Sequence, residues 1–178
     1  MTHAPANFYR GVVFDMDGVL IDSEPLFRTA AQQAAADLGF EVSDETYVSW
    51  MGLPPAAVES AVVSSMGEDF PMRAFRDAFR EIWMAHTETH GVPANPGIKA
   101  LLSRLTECGV PFSVATSTET ANAERSLDLA GLLTFIPTLI GGDQVENGKP
   151  APDIFQRAAD AIAVPASRCI ALEDSSAG

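Results

Sequence analysis

The chain has 178 residues, 47% of them hydrophobic, and a formal net charge of −13, which bounds it to one core domain with room for a smaller insert. So acidic a surface repels phosphate backbones and anionic lipid and excludes non-specific binding to nucleic acid or membrane surfaces. No apolar run reaches the roughly 18 residues of a membrane span, MTHAPANFYR lacks the apolar core of a secretion signal, and two cysteines, Cys108 and Cys169, fit reduced thiols in a cytoplasmic protein rather than a disulfide framework.

Arg10 to Asp15 reads as a short buried strand, because GVVF is apolar without alternation, as in a parallel sheet covered on both faces. Three acids follow in quick succession: Asp15 at the strand end, then Asp17, then Asp22. Ser23 to Leu38 reads as a helix with Ser23 at its N-cap and Glu24-Pro25 in its first turn, closed by Gly39. From Phe40 to about Gly91 the apolar residues recur at helical spacing, with Val58, Ala61 and Val62 in one stripe and Phe75, Phe79, Ile82 and Trp83 in another. That pattern predicts a small helical unit inserted after the first strand.

After VPANPG (Val92 to Gly97) an α/β rhythm resumes. Ile98 to Cys108 reads as a helix, Pro111 to Ala115 as a strand, Glu119 to Ala130 as a helix, and Pro137 to Ile140 as a short strand. Asp153 to Ala163 reads as a helix and Cys169 to Leu172 as a last strand. Strands alternating with helices imply right-handed crossovers and a parallel sheet. In such sheets ligands sit beyond the carboxyl ends of the strands.

Those ends carry the chemistry. The first strand ends in Asp15-Met16-Asp17, the second in Thr116-Ser117-Thr118, the loop after the third holds Gly148-Lys149-Pro150, and the fourth ends in Glu173-Asp174. Each has an ordinary structural explanation taken singly, as a turn residue, a helix cap or a solvated lysine. All four at successive strand ends, in this order, do not arise by accident. Carboxylates held together repel and are costly to desolvate, and a bound cation removes the conflict. An all-oxygen set with positions left for water suits Mg²⁺ rather than zinc or copper. Thr116, with Ser117 beside it, suits a phosphoryl oxygen, and Lys149 supplies a positive charge to another. Asp15 is placed to attack phosphorus and Asp17 to shuttle the proton.

Asp15-Met16-Asp17-Gly18-Val19, Thr116, Gly148-Lys149-Pro150-Ala151-Pro152-Asp153 and Glu173-Asp174-Ser175-Ser176-Ala177-Gly178 together resemble the four motifs of the haloacid dehalogenase-like (HAD) hydrolase superfamily. The branch is similar to that of the β-phosphoglucomutases and phosphoglycolate phosphatases. The resemblance implies a Rossmann-like α/β core over residues 1–23 and 91–178, with a helical cap over 24–90. It implies Asp15 as nucleophile, Asp17 as general acid and base, phosphate held by Thr116, Ser117 and Lys149, and Mg²⁺ held by Asp15, the Asp17 backbone carbonyl, Asp174 and Glu173. It also implies core strands beyond the last motif, so the C-terminal part of the core is expected to be missing here and Cys169–Leu172 to form an exposed apolar edge.

The sugar phosphomutases of that branch carry a cap histidine where this chain has Phe27, and an arginine soon after a Gly-Leu pair where this chain has Gly52-Leu53-Pro54-Pro55. The expectation is therefore a cytoplasmic Mg²⁺-dependent phosphatase, a monomer or weak dimer, acting on a small phosphorylated metabolite. A sugar-phosphate mutase and a truncated non-catalytic domain are the alternatives. His86 and His90 do not have the glutamate placement of a zinc protease helix, and Gly141-Gly142-Asp143 reads as a turn.

Overall fold

The GVVF segment becomes an inner strand, β1 (Gly11–Phe14), in a computed structural model that describes residues 9–51, 53 and 55–175. Expectations on Gly52 and Pro54, and on Ser176, Ala177 and Gly178, lie outside the described residues. β2 (Phe112–Ala115) is buried along its whole length and pairs with β1 in parallel, Val12 opposite Phe112 and Phe14 opposite Val114. β3 (Leu139–Ile140) lies beyond β2, and β4 (Cys169–Leu172) lies on the other side of β1, with Phe14 opposite Leu172. The order β3-β2-β1-β4 is parallel throughout. The chain thus reverses its direction of growth at β1, the switch point where open α/β sheets leave a crevice beyond their strand ends.

Among the described residues seven α-helices accompany the strands: α1 (Glu24–Asp37), α2 (Asp44–Trp50), α3 (Pro55–Met66), α4 (Met72–His90), α5 (Ile98–Glu107), α6 (Thr120–Leu129) and α7 (Asp153–Ala161). Three local expectations are corrected. Ser23 already has helical φ and ψ and its side chain makes no cap bond; its carbonyl instead accepts from the amides of Leu26 and Phe27. The hydroxyl that does cap a helix belongs to Ser43, which accepts from the Thr46 amide at 3.1 Å. α7 stops at Ala161, short of Ala163, because Ala163 adopts a left-handed φ of 56° that cannot continue a right-handed helix. β3 is shorter than Pro137–Ile140, and Pro137 has no amide hydrogen to give a ladder.

The chain separates into two compact units, one of residues up to Asp22 with Pro93–Asp174, the other Ser23–Val92. In the first, α7 packs Ile154, Ala158 and Ala159 against Val13, Ala115 and Ile140, while Phe14 and Phe112 meet edge to face. The Asp22 amide donates to the Pro93 carbonyl at 2.9 Å, joining the points where the chain leaves this unit and returns. The second unit has a core of its own: Ala31, Ala34 and Ala35 of α1, Val42, Trp50 of α2, Val62 of α3, Phe70 and Phe75 of α4's approach and first turn. Its alanines leave room for the aromatic residues, which is why so Ala-rich a helix still fills a core.

β4 pairs with β1 alone, and its Ile170 and Leu172 are 40% and 37% exposed, so the apolar edge expected from the sequence is present among the described residues. Leu127 in α6, by contrast, is fully buried. Leu127→Ala is expected to lower the unfolding free energy by about 2–5 kcal/mol, read as a lower urea midpoint at an unchanged slope.

Candidate active site

Asp15 is the first residue past β1, and its amide still donates to the Leu172 carbonyl of β4 at 2.9 Å. The backbone ladder therefore fixes this carboxylate between two strands. Only 6% of it is exposed. Lys149 is equally buried, and its Nζ donates to Asp15 Oδ1 at 2.5 Å and to Glu173 Oε2 at 3.0 Å. The same ammonium lies 4.8 Å from the ring centre of Phe155 in α7, a favourable position for a cation over a π face. Burial pushes the Asp15 carboxyl up to about 7; Lys149 pulls the other way, and Glu173 and Asp17 add to the rise.

Carboxylate oxygens of Asp15, Glu173 and Asp174 lie within 4.8 Å of one another. They come from the ends of β1 and β4, which the parallel pairing sets side by side. A set of hard oxygens with excess negative charge, Lys149 offsetting only one unit, fits Mg²⁺ or a similar divalent cation. Gly18 makes the approach of Asp174 possible. It has a φ of +77°, and a Cβ there would run into the Asp174 carboxylate.

The Asp17 side chain stands outside that trio of oxygens and accepts from Thr118 Oγ1 at 3.3 Å. Thr116 is buried after β2, and its Oγ1 accepts from the Thr118 amide at 3.1 Å, which leaves the hydroxyl proton to donate to an anion. Ser117 is exposed, and its carbonyl sits where a Cβ on Gly142 would collide. Gly142 thus allows the loop after β3 to lie against the loop after β2, and its own amide donates to the Thr118 carbonyl at 2.9 Å. Asp143 completes the join by accepting from the Thr120 amide and hydroxyl, both at 2.7 Å.

Sequence reasoning missed three supports: Asn95, whose side chain donates to the Gly18 and Val19 carbonyls; Thr118 on Asp17; and the Gly142–Asp143 clasp. The available signals were an asparagine inside VPANPG and an acid directly after a glycine pair. In the helical unit Phe27 stacks on Trp83 at 4.3 Å. Trp50 is a core residue with its Nε1 donating to Ser65. His86 and His90 stack on each other at the C-terminal end of α4, and Arg28, Arg76 and Arg80 make exposed ion pairs with Asp44, Glu59 and Asp77.

The sequence profile of haloacid dehalogenase-like hydrolases matches residues 12–178. A phosphorylated carbohydrates phosphatase of Thermotoga maritima is 29% identical over 172 residues, covering 94% of this chain and 77% of its own length. The chloroplastic protein SUPPRESSOR OF QUENCHING 1 of Arabidopsis thaliana is 37% identical over 173 residues, but the chain spans only 16% of that protein. Among solved structures, CbbY from Rhodobacter sphaeroides in complex with phosphate superposes with a TM-score of 0.78 at 27% identity, covering 96% of this chain and 80% of that one. With the strand-end motifs inside the matched region, the chain belongs to the haloacid dehalogenase-like hydrolase family.

Proposed function

We propose that this chain is a cytoplasmic Mg²⁺-dependent phosphatase that hydrolyses a small phosphorylated metabolite, of the sugar phosphate or phosphoglycolate kind, through a phosphorylated Asp15. The observation that carries it is the gathering of Asp15, Glu173 and Asp174 oxygens within 4.8 Å beside a buried lysine. The similarity to a phosphatase of phosphorylated carbohydrates supports the substrate class. No helix among the described residues is long and apolar enough to cross a membrane, and the exposed free thiol of Cys108 suits a reducing compartment.

Asp15 attacks phosphorus in line; its Oδ–P bond forms as the bond from phosphorus to the leaving oxygen breaks. Asp17 gives that oxygen a proton, then takes one from the water that attacks the phosphoaspartate, so inorganic phosphate departs and both carboxylates return to their starting states. Thr116, Ser117 and Lys149 hold the phosphoryl oxygens. Asp15, Asp174, the Asp17 carbonyl and Glu173 would hold Mg²⁺, which when bound would supply positive charge against the negative charge of the transferring group. Phe27 stands where the resembling mutases carry a cap histidine, which supports the hydrolase reading over the mutase one.

Phosphate release from a panel of sugar phosphates and phosphoglycolate tests the proposal. Asp15→Asn should reduce release to background, and chelation of divalent cations by EDTA should do the same reversibly. Turnover retained in Asp15→Asn rejects that residue as nucleophile, and isomerised product without net phosphate release favours a mutase. Gly18→Ala forces a Cβ toward the Asp174 carboxylate. It should cost on the order of 1 kcal/mol of stability and shrink the rise in melting temperature that Mg²⁺ produces. An undiminished Mg²⁺ shift would remove Asp174 from the metal site.

A further inference from the structure

Asp17, unlike Asp15, lies beyond the strand ladder, so something else must hold it. The chain after it folds into a tight turn: the Gly18 amide donates to the Ile21 carbonyl, and the Leu20 and Ile21 amides both donate to the Met16 carbonyl. That turn closes on itself, but its outward carbonyls need partners. Asn95 supplies them. Its Nδ2 donates to the Gly18 carbonyl at 2.8 Å and to the Val19 carbonyl at 2.9 Å, and its backbone amide donates to the Leu20 carbonyl at 2.9 Å. Three consecutive carbonyls directly after Asp17 thus bond to one residue that lies 77 positions beyond Gly18. An antiparallel bridge between Ile21 and Ala94 sets the register of the clamp.

We propose that Asn95 is a positioning residue for Asp17, bracing the turn that aims the proposed general acid at the leaving oxygen. An amide suits this role because it carries two N–H donors on one nitrogen and no charge. A hydroxyl offers one donor and a carboxylate none. Asn95 bonds to the carbonyls of Gly18, Val19 and Leu20 and so acts through the backbone of residues 18–20. Thr118, bonded to Asp17 Oδ2 at 3.3 Å, holds the carboxylate from the other end, so the side chain of the acid and the turn that follows it are each held by a different loop.

The inference rests on the phosphatase reading, and leaving-group dependence tests it separately. A sugar alkoxide departs only with a proton, whereas a nitrophenolate departs without one, and kcat/KM reports the steps up to that departure. In Asn95→Ala, kcat/KM for a sugar phosphate should fall about tenfold or more while that for p-nitrophenyl phosphate changes much less. Asn95→Ser, which keeps one donor, should fall between wild type and Asn95→Ala on the sugar phosphate, and it serves as the second variant if Asn95→Ala melts too low to assay. A purely structural brace would lower both substrates in proportion, and that result overturns the proposal, as does a variant that matches the wild type on both. A wild-type protein that releases no phosphate from any substrate overturns the functional reading and this inference with it.

Discussion

The structure turns on the repulsion among carboxylates at the carboxyl ends of β1 and β4. Asp15, Glu173 and Asp174 bring their oxygens within 4.8 Å of one another, and Asp15 is almost wholly removed from water. Such an arrangement costs several kcal/mol unless positive charge compensates it. Lys149 provides part of the compensation by bridging Asp15 and Glu173. It does not offset the burial, which drives the Asp15 carboxyl far above the usual carboxylate range. A folding chain does not collect acids in this way for stability. Perturbed groups gathered in this way mark function, and the use proposed for them is to hold a cation beside a phosphoryl group.

The sheet order follows from the same constraint. Asp15 and Asp174 are far apart in sequence, and only strands paired in register place their ends together; Phe14 opposite Leu172 does so. β2 on the opposite flank delivers Thr116. Had β4 joined the sheet beyond β3, the acids would stand several strands away from Asp15, and no short side chain would span the gap, since neighbouring strands are about 4.8 Å apart. The switch in strand order at β1 is therefore a requirement of the proposed chemistry as well as a habit of the fold.

Much of this was legible from the residues because the relevant signals are local. GVVF and FSVA are continuous apolar runs, and every strand and core helix expected from Ile98 onward is present with ends shifted by a few residues. The charged strand ends carried the candidate site. What stayed hidden were contacts made by residues whose own surroundings look ordinary. Asn95 sits in a turn-rich stretch that any loop might use, and its value lies in carbonyls of Gly18 and Val19. The need for glycine at positions 18 and 142 comes from Asp174 and from the Ser117 carbonyl, neither of them a sequence neighbour. Ser23 looked like a cap by residue type, yet its backbone had already entered the helix.

The two catalytic acids proposed here are held by different physics, and the difference matches what each must do. A nucleophile must keep one direction of approach to phosphorus, and Asp15 has it from a ladder bond to Leu172 and from a buried lysine. An acid that first gives a proton to one oxygen and later takes one from another must face both in turn. Asp17 stands past the end of β1, in a turn tied down by Asn95, Thr118 and two isolated bridges through Ile21 rather than by the sheet ladder. Side-chain bonds of this kind, roughly 0.5–1.5 kcal/mol each, fix the turn's average place while permitting a small swing of the carboxylate. Rigid strand for the attacking oxygen and braced loop for the proton carrier is the division that a two-step phosphoryl transfer needs from one sheet end.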